Sequence, residues 1–431
     1  MSLKRPSYFV FRFVTGVGYW ANRRFTSAGA LVFSGIVVTG AVGVDTTQSV
    51  AYQAFGLLAA LAAVAALCLP FVSTRVNVER TLPRVATAGS PFSYRVRVSN
   101  AGATAMDGLS LREDFADPRP AYEAYNAAIG IPTYRKWKRL VNANQLAHVP
   151  ERPVPALAPG ASANVEVEAL ALRRGVAHSR GIIVGRADPL GLVKALARVP
   201  HRSNFTVLPR RYTLPPLTLP GSRRYQPGGV TLATSVGDSE EFVGLRDYRP
   251  GDPLQRIHWK SFARAARPIV KEYQDEYFER HALVLDTFAS ARDERLFEEA
   301  VSIAASFAYT IDTRECLLDL MFIGPEAYTY TAGRGQMQAG NLLEILAGVQ
   351  PCRDKPFSVL GNAVTARRGA LTGCICVLLG WDEERAHFLR QLQARGIAFR
   401  AVAVARGPVA DPPPWLLVVE PGKVQEGLGN L

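Results

Sequence analysis

Residues 25–44 read FTSAGALVFSGIVVTGAVGV, and residues 46–74 read TTQSVAYQAFGLLAALAAVAALCLPFVST. Neither run holds a charged side chain, and only Asp45 lies between them. A bilayer core of ~30 Å asks for about 20 apolar residues in a helix, so both runs are long enough to span it. The short connection around residues 45–49 predicts an antiparallel transmembrane hairpin over residues 25–74. A cleaved secretory signal is the alternative for the first run, but a second apolar run following at once argues against it. Lys4, Arg5, Arg12, Arg23 and Arg24 precede the hairpin, and Arg75, Arg80 and Arg84 follow it. The loop between the spans carries Asp45 and no cation, so the positive-inside rule places both ends in the cytoplasm.

The chain of 431 residues is long enough for two or three domains. Its net charge of +13 is modest for that length and is drawn partly from the residues flanking the hairpin. Anionic lipid headgroups are the expected partner for those cations. No zinc-finger, cold-shock or RNA-recognition signature accompanies the charge, so nucleic acid is not an expected partner. The five cysteines, Cys68, Cys316, Cys352, Cys374 and Cys376, have no metal-ligand spacing. Reduced buried thiols are the expectation, which suits a cytoplasmic body.

Beyond Arg75 the pattern changes to period two. RVNVERTL, FSYRVRVSN and ANVEVEALAL alternate apolar and polar residues between Gly, Pro and Asn turns, predicting an immunoglobulin-like β-sandwich over residues 75–212. An insertion near residues 120–147, rich in Tyr, Trp and Arg, reads as one or two short helices. Packing on the end of the sandwich, a partner surface and contact with headgroups are its open readings. A linker dense in Pro and Gly follows, opening residues 213–275. From residue 276 onward, apolar strands such as HALVLDTF, CLLDLMFIG, GCICVLLG and FRAVAVA alternate with amphipathic helices. That alternation predicts a doubly wound α/β domain covered on both faces.

Candidate chemistry concentrates in GLRDYRPGDPLQRIHWKSFARAARPIVKEY. Asp252 before Pro253 has the form of an N-cap, with Gln255 completing a capping box, and predicts a helix of about four turns ending before Pro268. On that helix Arg256, Lys260 and Arg264 recur every four residues as a basic stripe, a pattern suited to phosphate, an acidic partner or carboxylates of the same chain. Arg246, Asp247, Trp259, Lys271 and Glu272 complete the constellation. His258 reads as a structural histidine, and the competing reading is a membrane-tethered hydrolase using His258 with Asp252 or Glu272. Asp286 ends a buried strand, where ligands of open α/β sheets bind. With Ser290 and Asp382 it forms a weak candidate for a Mg²⁺ site.

The stretch GLRDYRPGDPLQRIHWKSFAR followed by PIVKEY closely resembles the bacterial family called domain of unknown function 58. RRGVAHSRGIIVGRADPLGLV and FTVLPR resemble that family's lead-in. The resemblance implies two N-terminal spans, a β-rich region, the signature, and then a fold like the von Willebrand factor A domain. It also implies a MoxR-type AAA ATPase as partner and a scaffold or adaptor role rather than catalysis. A-domain metal sites usually begin Asp-x-Ser-x-Ser. Here residues 286–290 read DTFAS, with Phe288 in place of the first serine, so no cofactor is expected. The expectation is therefore a multidomain, non-enzymatic protein of the bacterial inner membrane, with its termini and soluble domains in the cytoplasm.

Overall fold

The structure is a computed structural model. It describes residues 4–42, 49–72, 74–217, 219, 241–252, 254–274, 279–290, 293–311, 316–333, 339–407, 409, 411–429 and 431. The connection at Asp45, most of the 213–240 linker, Pro253 and the Glu272 side chain lie outside the described residues. Two units divide the chain, Met1–Arg210 and Arg211–Leu431.

The first unit begins with a helix the sequence reading did not anticipate, α1 (Lys4–Arg24), where a plain basic leader was expected. Two apolar helices follow, α2 (Ser27–Val42) and α3 (Ser49–Cys68). Neither has a polar stripe, so neither is built to lie half-buried on a soluble core. They pack side by side in antiparallel register, Gly35 facing Leu58 and Gly40 facing Phe55. Val50–Phe71 is the one helix, among the described residues, long and apolar enough to cross a membrane, and Ser27–Val42 is shorter. Thr26 caps α2, its hydroxyl accepting from Gly29 N–H at 3.0 Å and donating to Gly191 O at 2.6 Å. A Cβ on Gly29 would fall 1.9 Å from Leu192 O, so only glycine admits this approach.

Two facing sheets and a helical insertion make up the rest of the unit. The strands are β1 (Val76–Thr81), β2 (Val85–Thr87), β3 (Pro91–Asn100), β4 (Leu109–Phe115), β5 (Ala147–His148), β6 (Arg152–Val154), β7 (Ser162–Ala171), β8 (Gly175–Ala187) and β9 (Lys194–Leu208). Sheet orders are β1-β3-β7-β5 and β2-β9-β8-β4-β6. The alternation read in the sequence buries Tyr94, Val96 and Val98 of β3 and Val165 and Val167 of β7 against Leu109, Leu111, Ile182 and Val184 of the other sheet. Arg80, counted above among cations following the spans, points instead into this core. It pairs with Glu113 and donates to Ser179 Oγ at 3.0 Å and Ser203 Oγ at 2.7 Å, while Tyr94 donates to Glu113 at 3.0 Å. Burial pushes the Tyr94 hydroxyl up to about 12. The insertion between β4 and β5 forms two helices, α4 (Tyr122–Ala128) and α5 (Tyr134–Ala143). Their Tyr125, Ile129, Trp137 and Val141 form a small core with Tyr8 of α1. The Trp137 indole donates to Thr15 Oγ1 at 2.7 Å.

In the second unit an antiparallel ribbon, β10 (Glu241–Asp247) with β11 (Ile269–Gln274), frames a short helix α6 (Trp259–Ala265). Next come β12 (Glu279–Leu285), α7 (Glu294–Thr310), β13 (Cys316–Ile323), β14 (Ala327–Ala332), α8 (Ala339–Gly348), α9 (Ser358–Ala366), β15 (Gly373–Leu379), α10 (Glu383–Ala394), β16 (Ala398–Val404), β17 (Leu416–Val419) and α11 (Val424–Leu428). The six-stranded sheet has the order β14-β13-β12-β15-β16-β17, parallel throughout except for the edge strand β14. α9 and α10 bury Leu360, Val364, Phe388, Leu389 and Leu392 against Ala282, Val284, Cys374 and Cys376. Contacts of α7 with β12 and β15 cover the other face. Neighbours on both sides of β12 place the topological switch of the sheet at its carboxyl end, at Asp286.

Candidate functional site

The signature does not form the four-turn helix its capping pattern predicts. A single 3-10 turn spans Leu254–Arg256, and a separate two-turn helix, α6, begins at Trp259. The reason is tertiary. Ile257 forms a β-bridge with Val270 of β11, and the His258 N–H donates to Ile269 O at 2.8 Å. Both contacts draw the chain out of helical geometry between the two pieces. Arg256 therefore sits on the turn while Lys260 and Arg264 sit on α6, and the three are not one stripe on one helix.

Asp252 is likewise not the predicted N-cap. Its carboxylate takes a two-pronged bond from Arg246, each arm 2.7 Å long, and a third from the Arg249 N–H at 2.8 Å. Those bonds, Arg246 foremost, hold its carboxyl down at about 2. The Arg-Pro-Gly-Asp turn makes this closure. Pro250 and Gly251 take the second and third positions, Asp252 N–H returns to Arg249 O at 3.0 Å, and Gly251 has φ +108°. Asp247 meets Arg267 at 3.2 Å. Lys271 and Glu272 lie on β11 opposite Leu245 and Gly244. His258 Nδ1 is 2.7 Å from Ser261 Oγ. The hydrolase reading asks Asp252 or Glu272 to orient His258; Asp252 is committed to Arg246, and the Glu272 side chain lies outside the described residues.

The outward part of the signature is apolar and basic together. Leu254 is 67% exposed and Trp259 64%, with the Trp259 ring edge-on to Phe262 at 5.9 Å. Arg256, Lys260 and Arg264 are exposed as well. Tryptophan and arginine are among the residue types enriched at protein-binding hot spots.

At the carboxyl edge of the sheet Asp286 is fully buried. Its Oδ1 accepts from Phe288 N–H at 2.9 Å, and its Oδ2 accepts from Leu379 N–H at 2.9 Å and Arg385 Nε at 2.7 Å. Arg385 also pairs with Asp382, which caps α10 by accepting from Arg385 N–H at 3.0 Å. Burial raises the pKa of Asp286, with Arg385 and the Leu379 N–H pulling against that rise. Ser290 turns away to Asp293. Of the three metal candidates, two thus meet on a guanidinium and the third does not join them. Among the described residues no group of three metal-ligating side chains occurs.

Sequence reading missed Arg385. Its signal was present, since residues 385, 388, 389 and 392 form one stripe of α10 that is apolar except for the arginine. Beside this edge lies a cleft of about 860 Å³, floored by the stacked rings of Phe322, Tyr328 and Tyr330 and bordered by Arg353 and Lys355.

Comparison with known proteins agrees with the signature. Residues 244–394 match the family model described as "Protein of unknown function DUF58". The resemblance read from the signature is shown for that stretch. The chain is also similar to the uncharacterized protein YeaD of Bacillus subtilis (strain 168), 26% identical over 190 residues. That alignment takes in 43% of this chain and 46% of the relative, so the chain spans about half the length of the curated protein it matches. Among solved structures, an alpha-2-macroglobulin of Salmonella aligns with 36% of this chain and 8% of its own at 16% identity and a TM-score of 0.20. The CARDB domain of a Pyrococcus furiosus protein, in complex with di-metal ions, aligns with 31% of this chain and 85% of its own at 13% identity and a TM-score of 0.17.

Proposed function

We propose that this DUF58-bearing chain is a membrane-anchored, non-enzymatic scaffold that presents its signature to a protein partner in the cytoplasm. Exposure of Trp259 and Leu254 among Arg256, Lys260 and Arg264 is the observation that carries the proposal. A surface of that kind loses apolar area to water unless something covers it. The family resemblance makes a MoxR-type AAA ATPase the expected occupant, acting in assembly or maturation of a complex.

The anchor is the α2–α3 hairpin in a bacterial inner membrane. Its support is the exposed apolar surface of both helices: Leu31, Phe33, Val37 and Val38 on one, Leu57, Val64 and Leu67 on the other. The β-sandwich is read as immunoglobulin-like and the α/β domain as von Willebrand A-like. In the latter the strand order and the carboxylate at the switch point support the reading, Arg385 being bonded to that carboxylate. No cofactor is assigned to the scaffold role.

The test is co-purification from solubilised membranes of the native host. Wild-type chain should recover an AAA ATPase, and W259A combined with K260E should lose it by tenfold or more while the chain stays folded. Recovery of no ATPase, or equal recovery by both chains, would overturn docking through the signature.

A further inference from the structure

Helix α1 buries one side and leaves the other bare. Tyr8 and Phe11 pack on the insertion helices, Ser7 Oγ lies 2.9 Å from the Tyr125 hydroxyl, and Thr15 receives the Trp137 indole. These contacts fix the rotation of the helix about its own axis. Facing away from them are Phe9, Val10, Phe13, Val14, Val17 and Trp20, each between 47% and 71% exposed. Their spacing of one and three keeps them on a single stripe.

What covers that stripe is indicated by its surroundings. Trp20 lies 5.8 Å from Phe25, and Phe25 lies 5.6 Å from Phe33 on α2, so the apolar surface of α1 runs unbroken onto the outer surface of the hairpin. The start of α2 is latched to Gly191 and Leu192 at the sandwich edge, which sets α1 at the level where the first span would enter the bilayer. The helix carries Lys4, Arg5, Arg12, Arg23 and Arg24 and no acidic residue. Lys4 donates to Asn126 O at 3.2 Å, Arg12 pairs with Asp117 and Arg23 pairs with Asp114, so Arg5 and Arg24 are the cations it can offer to a surface. An amphipathic helix combining Phe and Trp on one face with arginine and lysine is suited to the interface of an anionic bilayer.

We propose that α1 lies in the membrane plane, with Phe9, Phe13, Val17 and Trp20 among the acyl chains and Arg5 and Arg24 at anionic phospholipid headgroups. The inference rests on the hairpin being the anchor. The 120–147 insertion then acts as a brace that holds α1 flat, tying the orientation of the sandwich to the bilayer surface.

The test uses the full chain in vesicles of phosphatidylcholine with about one third phosphatidylglycerol, a photo-cross-linking phenylalanine analogue being placed at position 13 or at position 38. Position 38 is on the outer face of α2 and reports on the anchor alone. Position 13 should gain the mass of a phospholipid, at least threefold more in these vesicles than in pure phosphatidylcholine. Labelling of lipid at 38 but of protein, or of nothing, at 13 would overturn the interfacial helix and leave the anchor standing. Equal labelling at 13 in both vesicles would overturn the anionic preference. Failure at both positions would overturn the anchor itself.

Discussion

Replacing Arg385 with leucine removes the charged partner of Asp286 and leaves the fully buried carboxylate with two backbone donors, the amides of Phe288 and Leu379. Breaking one side of a buried ion pair costs about 3–5 kcal/mol. At about 1.4 kcal/mol per tenfold, that is roughly two to three and a half orders of magnitude in the unfolding equilibrium. The variant has an escape route, because burial drives an unpaired carboxyl to keep its proton. A carboxyl whose folded pKa lies above its unfolded value loses stability as pH rises from the unfolded value toward the folded one. Stability of R385L should therefore fall as the medium is brought from acid to neutral, by up to about 1.4 kcal/mol per pH unit for the single proton. The double variant D286N/R385L has no buried charge to protonate and should lack that slope. Hydrogen exchange at the Leu379 amide, in the full chain across pH, reads the local opening directly. Loss of less than about 1 kcal/mol in R385L at neutral pH, or an equal pH slope in the double variant, would refute a buried Asp286–Arg385 pair.

Two further perturbations test other parts of the account. The Asp252 carboxyl is held down at about 2, mainly by Arg246, so its contribution is present above the ordinary carboxylate range and is lost as pH falls toward 2. Amide protection across residues 246–252, taken relative to the intrinsic exchange rate at each pH, should hold from neutral pH to about 4 and fall below it. D252N should show the lowered protection at neutral pH, and unchanged protection in that variant would contradict the closure. In the sandwich, E113A strands the Arg80 guanidinium between the sheets and should cost about 3–5 kcal/mol in chemical denaturation. A cost below about 1 kcal/mol would mean that Ser179, Ser203 and the His201 carbonyl satisfy Arg80 without it.

The parts of this molecule written in local periodicity were legible in the sequence. The alternation in FSYRVRVSN becomes β3 with Tyr94, Val96 and Val98 inward, and the apolar runs after residue 276 become the strands of one sheet. Helices α1 and α9 escaped for a common reason. In α1 the run FVFRFV is apolar on both faces, one for the insertion and one outward, and in α9 no charged residue marks a polar side. The signature misled because Asp252, Pro253 and Gln255 form a capping pattern that tertiary contacts override. The bridge from Ile257 to Val270 joins positions that no helical window connects, and Arg246, six residues upstream, takes the Asp252 carboxylate that the cap would have used. Asp286 was found from its place at a strand end. Its partner 99 residues away was visible only as an arginine within an apolar stripe.

The central claim is that the hairpin tethers the signature to the inner face of a membrane. Single cysteines tested with a membrane-impermeant maleimide address it most directly. The native Cys68 would be changed to serine, the other four cysteines being buried. The account predicts that T46C reacts from outside intact cells and that K260C reacts only after the membrane is opened. Reaction of both from the same side would contradict it.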